Sequence, residues 1–328
     1  MSTDRLTAAE TPVSAADRPG KIEAVPVRHY GRWVAVAVIT VLVLMFLNMI
    51  IFNPVFNWPF VFEVMNQSPV IDGLIKGTLL VTLFTMLVGI VGGVILAVMR
   101  LSDNPILRSV SWAYTWFFRS VPRIVLLTIM GAGMGLIFPD GIALGVPFDW
   151  KLIEWFGLSG DWRFLTLDAN QIFSGFLGAV IGLGASEAAY MAEIARAGIL
   201  SVDRGQMEAA QAVGMSRGKA MRRIVLPQAM RVIVPPTGNE TIAMMKDTSL
   251  LIALPLTAEL FYQVGAIGSR TYQILPSYLA AVLYYLIITS ILMVGQSYLE
   301  KRFGRGFGAA VASDADKAAK ALSVGASK

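Results

Sequence analysis

The amino-acid sequence predicts an all-α polytopic membrane protein, and three observations carry that class. Of its 328 residues 55% are hydrophobic and only 15% charged, a balance too apolar for a soluble chain of this length. Residues 33–52, 77–99 and 271–299 contain no charge, and each is long enough to cross a bilayer, which takes about 20 apolar residues. Lys and Arg gather in alternate connecting segments, as the positive-inside rule requires of a multi-spanning chain.

Taken in order, the predicted spans are residues 33–52, 77–99, 122–138, 171–194, 232–256 and 271–299, about six in all. The third contains Arg123, and the fourth and fifth contain several ionisable residues. With the N-terminus inside, Arg100 and Arg108 fall in the first inner loop, the basic residues from Arg196 to Arg231 in the second, and Lys301 onward at the inner C-terminus. The outer segments hold few cations: residues 53–71 none, residues 139–170 Lys151 and Arg163, and the last outer turn Arg270. Both termini are therefore expected on the cytoplasmic side. The first apolar run is too long for a cleaved signal peptide, and no small-residue cleavage site follows it.

Several chemistries are excluded. The chain has no Cys, so disulfides and thiolate metal sites are impossible, and the single His29 lies in a polar tail rather than a ligand cluster. Gly20-Lys21 is followed by Ile22 and Gly218-Lys219 by Ala220, whereas a phosphate-binding P-loop needs Ser or Thr there. No catalytic residue, metal site or nucleic-acid partner is expected. Residues 1–30 and 301–328 read as polar tails without a long apolar face.

Shorter segments have defined readings. In "SWAYTWFFRSVPR" the aromatic cluster beside Arg119 suits either a helix at headgroup level or an ordinary aromatic belt, and Pro122 suits the first turn of the next span. "FDWKLIEWFGL" in the outer loop reads as a short amphipathic helix. Between the fourth and fifth spans stands "GQMEAAQAVGMSRGKAMRRIVLPQA", residues 205–229. Residues 206–213 favour helix, Gly214 is a natural stop, Ser216 can cap a second helix over 217–225, and Pro227 allows a change of direction. A helix, a tight bend and a second helix make a protruding knob, which suits either docking of a partner or contact with anionic headgroups.

Charges inside the spans mark where a polar path is to be sought, since each is costly in hydrocarbon. Glu193 and Arg196 have the spacing of an ion pair on one helix face. Glu187 lies roughly 14 Å further along the helix at 1.5 Å per residue. Asn239, Glu240, Lys246, Asp247, Thr248 and Ser249 place donors, acceptors and both signs of charge in the fifth span. Glu187, Asn239, Lys246, Asp247, Thr248 and Ser249 are the candidate substrate-path residues.

The loop sequence resembles the EAA loop of ABC importer permeases, and its Gln before Glu-Ala-Ala, its Gly214 and its Leu-Pro-Gln ending resemble the polar amino acid uptake branch. "AAYMAEIARAGILSV", "PPTGNETIAMMKDTSLL" and "FRSVPRIVLL" are similar to further segments of that branch, though Ser120 and Val121 replace a Gly-Thr pair. The resemblance covers residues 72–300 and implies a type I ABC importer permease core, with residues 31–54 as an added N-terminal transmembrane helix and a longer outer loop. It implies a subunit with no cofactor of its own, paired with itself or a sister permease in the bacterial inner membrane. An ATP-binding subunit would grip Gln206, Glu208, Ala209, Ala210 and Gly214, and an extracytoplasmic binding protein would deliver a polar amino acid. A secondary transporter would not need the knob and would favour internal repeats, and an intramembrane enzyme would need a nucleophile with a base or a metal set.

Overall fold

The computed structural model describes residues 30–303, apart from 139, 140, 146–148, 158–162 and 255. Of the polar tails expected at residues 1–30 and 301–328, residues 1–29, with His29, and 304–328 lie outside the described residues, while Tyr30 and Lys301–Phe303 are helical. Two compact units are present, Met1–Pro54 and Val55–Lys328. Among the described residues the first contains one α-helix, α1 (Tyr30–Phe52), with a mean hydropathy of 2.9.

In the second unit α2 (Trp58–Met65) leads to α3 (Ser68–Arg100), which is longer than the span expected at 77–99 and contains a π turn at Gly73–Leu79. α4 (Pro105–Ser120) and α5 (Arg123–Ile137) meet at 97° across Val121 and Pro122. The connection that follows contains α6 (Asp149–Phe156), where an amphipathic helix was expected. It also contains a hairpin of β1 (Ile142–Gly145) and β2 (Arg163–Leu167), in antiparallel register from Ile142 opposite Leu167. The hairpin was not anticipated. Its strands are short and its loop long, which hides the usual two-residue turn signal.

A second long helix, α7 (Gly175–Leu200), packs along α3 through small residues. A Cβ on Gly89 would lie 2.5 Å from Glu187 Cγ, and one on Gly93 would lie 2.3 Å from Met191 Cβ. The missing side chains allow the two helices to approach closely, which is how spans associate where lipid removes the hydrophobic drive between them.

α8 (Arg204–Ala212) begins at Asp203, whose Oδ1 accepts from Gly205 N at 2.6 Å. It ends where the sequence indicates. Gly214 takes φ +84°, its N–H donates to Gln211 O at 2.9 Å, and Met215 N–H donates to Ala210 O at 3.0 Å, the bond pair of a Schellman stop. Ser216 stands at the next N-cap without a side-chain cap bond.

Pro227, which allows a change of direction, does not interrupt the helix. α9 runs over residues 217–247, through Arg217–Ala220, a π turn at Met221–Val225, and Leu226–Asp247. Leu226 N–H reaches back five residues to Met221 O, so the helix is already out of the i−4 pattern when it meets Pro227, which has no N–H to place. A 3-10 turn, Thr248–Ala253, ends it. α10 (Leu260–Thr271), which was not expected as a separate helix, precedes α11 (Ile274–Phe303).

Among the described residues four helices are long and apolar enough to cross a membrane: α1, α3, α7 and α11. The bent α4–α5 pair passes the same test when its two helices are taken together, as one broken span or a re-entrant loop. The fifth expected span, residues 232–256, lies mostly in α9, where Glu240, Lys246 and Asp247 reduce its apolar character. The core has two main clusters, one around Val81, Leu127, Leu183, Met244 and Leu251, the other around Val61, Val70, Leu260, Val264 and Ala280. α9 thus delivers its charged last turns to the edge of a packed interior.

Candidate functional site

The site is built on the break between α4 and α5. Val121 is extended, with ψ 126°, because a residue before proline is pushed out of the α region, and Pro122 follows with ψ 134°, also outside it. The chain therefore turns sharply and presents Arg123, the first residue of α5, to α7 and α9.

Arg123 is 12% exposed in its side chain and is surrounded by acceptors. Its Nη2 donates to Glu187 Oε2 at 2.9 Å and its Nε to Ser186 Oγ at 3.2 Å. Its Nη1 donates to Asp247 Oδ2, and Glu240 Oε2 lies 4.0 Å from Nη2. The guanidinium also sits 4.8 Å from the centre of the Tyr190 ring, and Arg119 lies 5.4 Å from the same ring. Planar guanidinium is suited to this combination, since it offers several fixed donors and a face that stacks on aromatics.

One cation therefore stands among three carboxylates. Glu187 is fully buried, and its second oxygen, Oε1, has no hydrogen-bond partner. Gly89 makes the space that this side chain occupies. A buried carboxylate oxygen without a donor is costly, and an excess of negative charge in such a place favours a cationic group.

The sequence-derived path residues separate in three dimensions. Glu187 and Asp247 meet at Arg123. Asn239 turns to α11, where its Oδ1 accepts from Gln296 Nε2 at 2.8 Å. Lys246 is exposed and makes no ion pair among the described residues. Thr248 is buried and donates to Met245 O, and Ser249 donates to Lys246 O, each at 2.8 Å; both hydroxyls serve the end of α9. Arg123 and Glu240 complete the cluster without having been among the candidates. The signal available for Arg123 was a charge directly after proline inside an otherwise apolar run.

Glu193 and Arg196 form the expected pair, with Arg196 Nη2 2.8 Å from Glu193 Oε2. In the knob Gln206, Glu208, Ala209 and Gly214 are exposed, while Ala210 is buried against its own chain. Gln206 Oε1 accepts from Gln228 Nε2 at 3.5 Å, linking α8 to α9. An apolar cavity of about 870 Å³ lies between α3, α7 and α9, lined by Val94, Met191, Ala195, Ile233 and Thr241 among others, with Asp103 and Arg217 among its polar residues.

This arrangement, a helical membrane core with a protruding two-helix knob and a buried charge cluster, is that of a transport subunit. Residues 89–305 match the family described as binding-protein-dependent transport system inner membrane component, and the chain belongs to that family. It is 43% identical over 296 residues to the arginine transport system permease protein ArgU of Corynebacterium glutamicum, covering 90% of this chain and 87% of that one. It is 32% identical to the probable amino-acid permease protein YxeN of Bacillus subtilis, covering 76% of this chain and 97% of that protein. The crystal structure of an amino acid ABC transporter with histidines aligns at a TM-score of 0.54 and 29% identity, over 78% of this chain and 98% of that one. The fold is that of type I ABC importer permeases, and the chain is a permease subunit rather than an enzyme.

Proposed function

We propose that this permease serves an importer of cationic amino acids and that the Arg123 cluster is part of its translocation path. The observation that carries the proposal is the charge count at the cluster: Arg123 faces Glu187, Asp247 and Glu240, and Glu187 retains an unpartnered oxygen. Such a site attracts a guanidinium or ammonium group and disfavours an acidic side chain. The likeness to a permease named for arginine supports the same substrate class.

In this reading residues 72–300 form the permease domain and residues 31–54 an added transmembrane helix, with polar tails at 1–30 and 301–328. Both termini and the coupling loop at 205–229 face the cytoplasm of a bacterial inner membrane. A separate ATP-binding subunit engages the exposed face of Gln206, Glu208, Ala209 and Gly214, and ATP is bound there and not by this chain. A second permease completes the path, and an extracytoplasmic binding protein loads it. Lys246, exposed one residue before Asp247, and Asn239 line the path beyond the cluster, with Thr248 and Ser249 holding the backbone at its end.

The continuity of α9 supplies the coupling. From Arg217 to Asp247 the helix is unbroken and spans roughly 45 Å at 1.5 Å per residue. Movement of the knob is carried along α9 to Glu240 and Asp247, and the ion pairs of those residues with Arg123 are the ones that must change. The test is uptake by the reconstituted importer, with labelled arginine challenged by lysine, glutamine and glutamate. Competition by the cationic amino acids alone supports the reading, and strongest competition by glutamate overturns it.

A further inference from the structure

We infer that the flank of α4 carries a binding site for the phosphate of an anionic phospholipid. Two adjoining cavities lie there, of about 380 and 240 Å³. Arg100, Arg108, Ser109, Trp112 and Arg196 line the first; the second shares Arg100 and Trp112 and adds Trp116, Arg119 and Glu193. Arginines from α3, α4 and α7 thus converge on one trough, with a single carboxylate among them.

That carboxylate is already engaged, since Glu193 holds Arg196 at 2.8 Å. Arg100 uses one Nη1 bond on the Arg108 carbonyl at 3.3 Å, and Arg108 is exposed. The trough keeps a surplus of guanidinium donors, whose geometry matches phosphate oxygens bidentately. Basic pockets between membrane helices are a recognised way to hold anionic headgroups.

The surface beside the trough fits the rest of such a molecule. Trp112 and Trp116 stack with ring centres 6.2 Å apart and are 51% and 59% exposed. Val110 and Phe117 are exposed on the same helix, whereas Ser111 and Thr115 face inward, Ser111 donating to Leu96 O at 2.8 Å. Exposed tryptophan rings beside arginines suit the boundary between headgroups and acyl chains. The charge selects the phosphate, and the apolar rings select a molecule with a tail. The site meets the Arg123 cluster only at Arg119, which lies 5.4 Å from the Tyr190 ring, and it rests on the orientation proposed above only for the choice of the inner leaflet.

The test uses the full-length chain, which has no Cys, with Ser109→Cys as a reporter thiol in the first cavity and Ile106→Cys, exposed on the same helix, as a control. Each is reconstituted in vesicles of phosphatidylcholine alone or with phosphatidylglycerol, and labelling by a neutral maleimide is timed. Anionic lipid should slow labelling at position 109 much more than at 106. Adding Arg108→Gln should recover about fivefold of that protection, the ~1 kcal/mol that one arginine contributes beside anionic lipid. Equal slowing at both positions overturns the site. Protection by inorganic phosphate in pure phosphatidylcholine assigns it to a free anion and overturns the lipid. Native mass spectrometry of the unsubstituted chain and Arg108→Gln gives a second readout: phosphatidylglycerol should be retained preferentially by the first and less by the second, and equal retention overturns the proposal. Transport enters neither readout, so failure here leaves the path proposal standing.

Discussion

Arg123 and Asp247 stand 124 positions apart in the chain and share a charge-assisted hydrogen bond that fastens the first turn of α5 to the last turn of α9. Removing the cation leaves Glu187, Glu240 and Asp247 facing one another in a largely buried place. Arg123→Met should therefore reduce folded protein in the membrane, at a cost of about 3–5 kcal/mol for a broken buried pair. Asp247→Asn keeps an acceptor for the guanidinium and leaves two carboxylates, so the protein should assemble and its uptake rate fall. Size-exclusion yield in detergent separates the two, and equal yields for both variants would count against a structural role for Arg123.

Lys246 has a different standing from its neighbour. It is exposed and has no ion-pair partner among the described residues, so Lys246→Met strands no opposite charge. Folded yield should stay within the range of the parent, while the preference among cationic, neutral and acidic amino acids shifts. Glu187→Gln should act on the same assay by weakening uptake of cationic substrates most. An unaltered substrate profile in both variants would remove these residues from the path.

Much of this architecture is legible in the sequence because lipid imposes simple rules. Long uncharged runs such as that of α1 have one stable fate in a bilayer, and Gly214 marks its own stop because few other residues accept a left-handed backbone. Glu187 was legible as a charge out of place. Its partner was not, because the Arg123–Glu187–Asp247 contact joins three distant segments and leaves no spacing to read. At Pro227 the chain stays helical because the π turn at Met221–Val225 has already taken the helix out of its regular bonding pattern. The last part of the expected fifth span failed, since apolar composition does not distinguish a continuing helix from the 3-10 turn at Thr248–Ala253.

At Gly214 the backbone conformation, not space, is the constraint. Its φ is +84°, and an added Cβ would meet nothing within 4 Å. Gly214→Ala should cost about 1 kcal/mol through left-handed strain alone, and Gly214→Asp should add an acid to the exposed knob. Both variants should insert normally. Uptake should fall further for Asp than for Ala, and normal ATP-driven uptake by Gly214→Asp would sink the docking role of this bend.

Gly77 presents the opposite case. A Cβ there would lie 1.9 Å from Ala258 O and 2.4 Å from Glu259 Cα, and both obstacles are backbone. Next to this contact Glu259 is fully buried, accepting from Thr78 Oγ1 at 3.1 Å and Tyr285 Oη at 3.3 Å. Gly77→Ala should force α3 away from the segment before α10 and loosen these bonds, so its melting temperature should drop by more than that of Gly214→Ala. A smaller drop at position 77 than at 214 would contradict the close approach.

The orientation proposed for the membrane core rests on where its cations lie, and the absence of cysteine makes it directly measurable. Val213 is 78% exposed in the knob and Phe164 is 82% exposed in β2. In intact cells Phe164→Cys should react with an impermeant maleimide, whereas Val213→Cys should react only after the membrane is opened. Deleting residues 1–53 removes one crossing but none of the basic residues from Arg100 to Arg231, which hold the inner loops in place. The same labelling pattern should therefore persist in the shortened chain. If the deletion exchanged the two reactivities, orientation would be set by α1 and the N-terminal cations rather than by the core. If Val213→Cys reacted from outside in the full-length protein, the knob could not meet a cytoplasmic ATPase, and the proposed route from that subunit through α9 to Arg123 would fail with it.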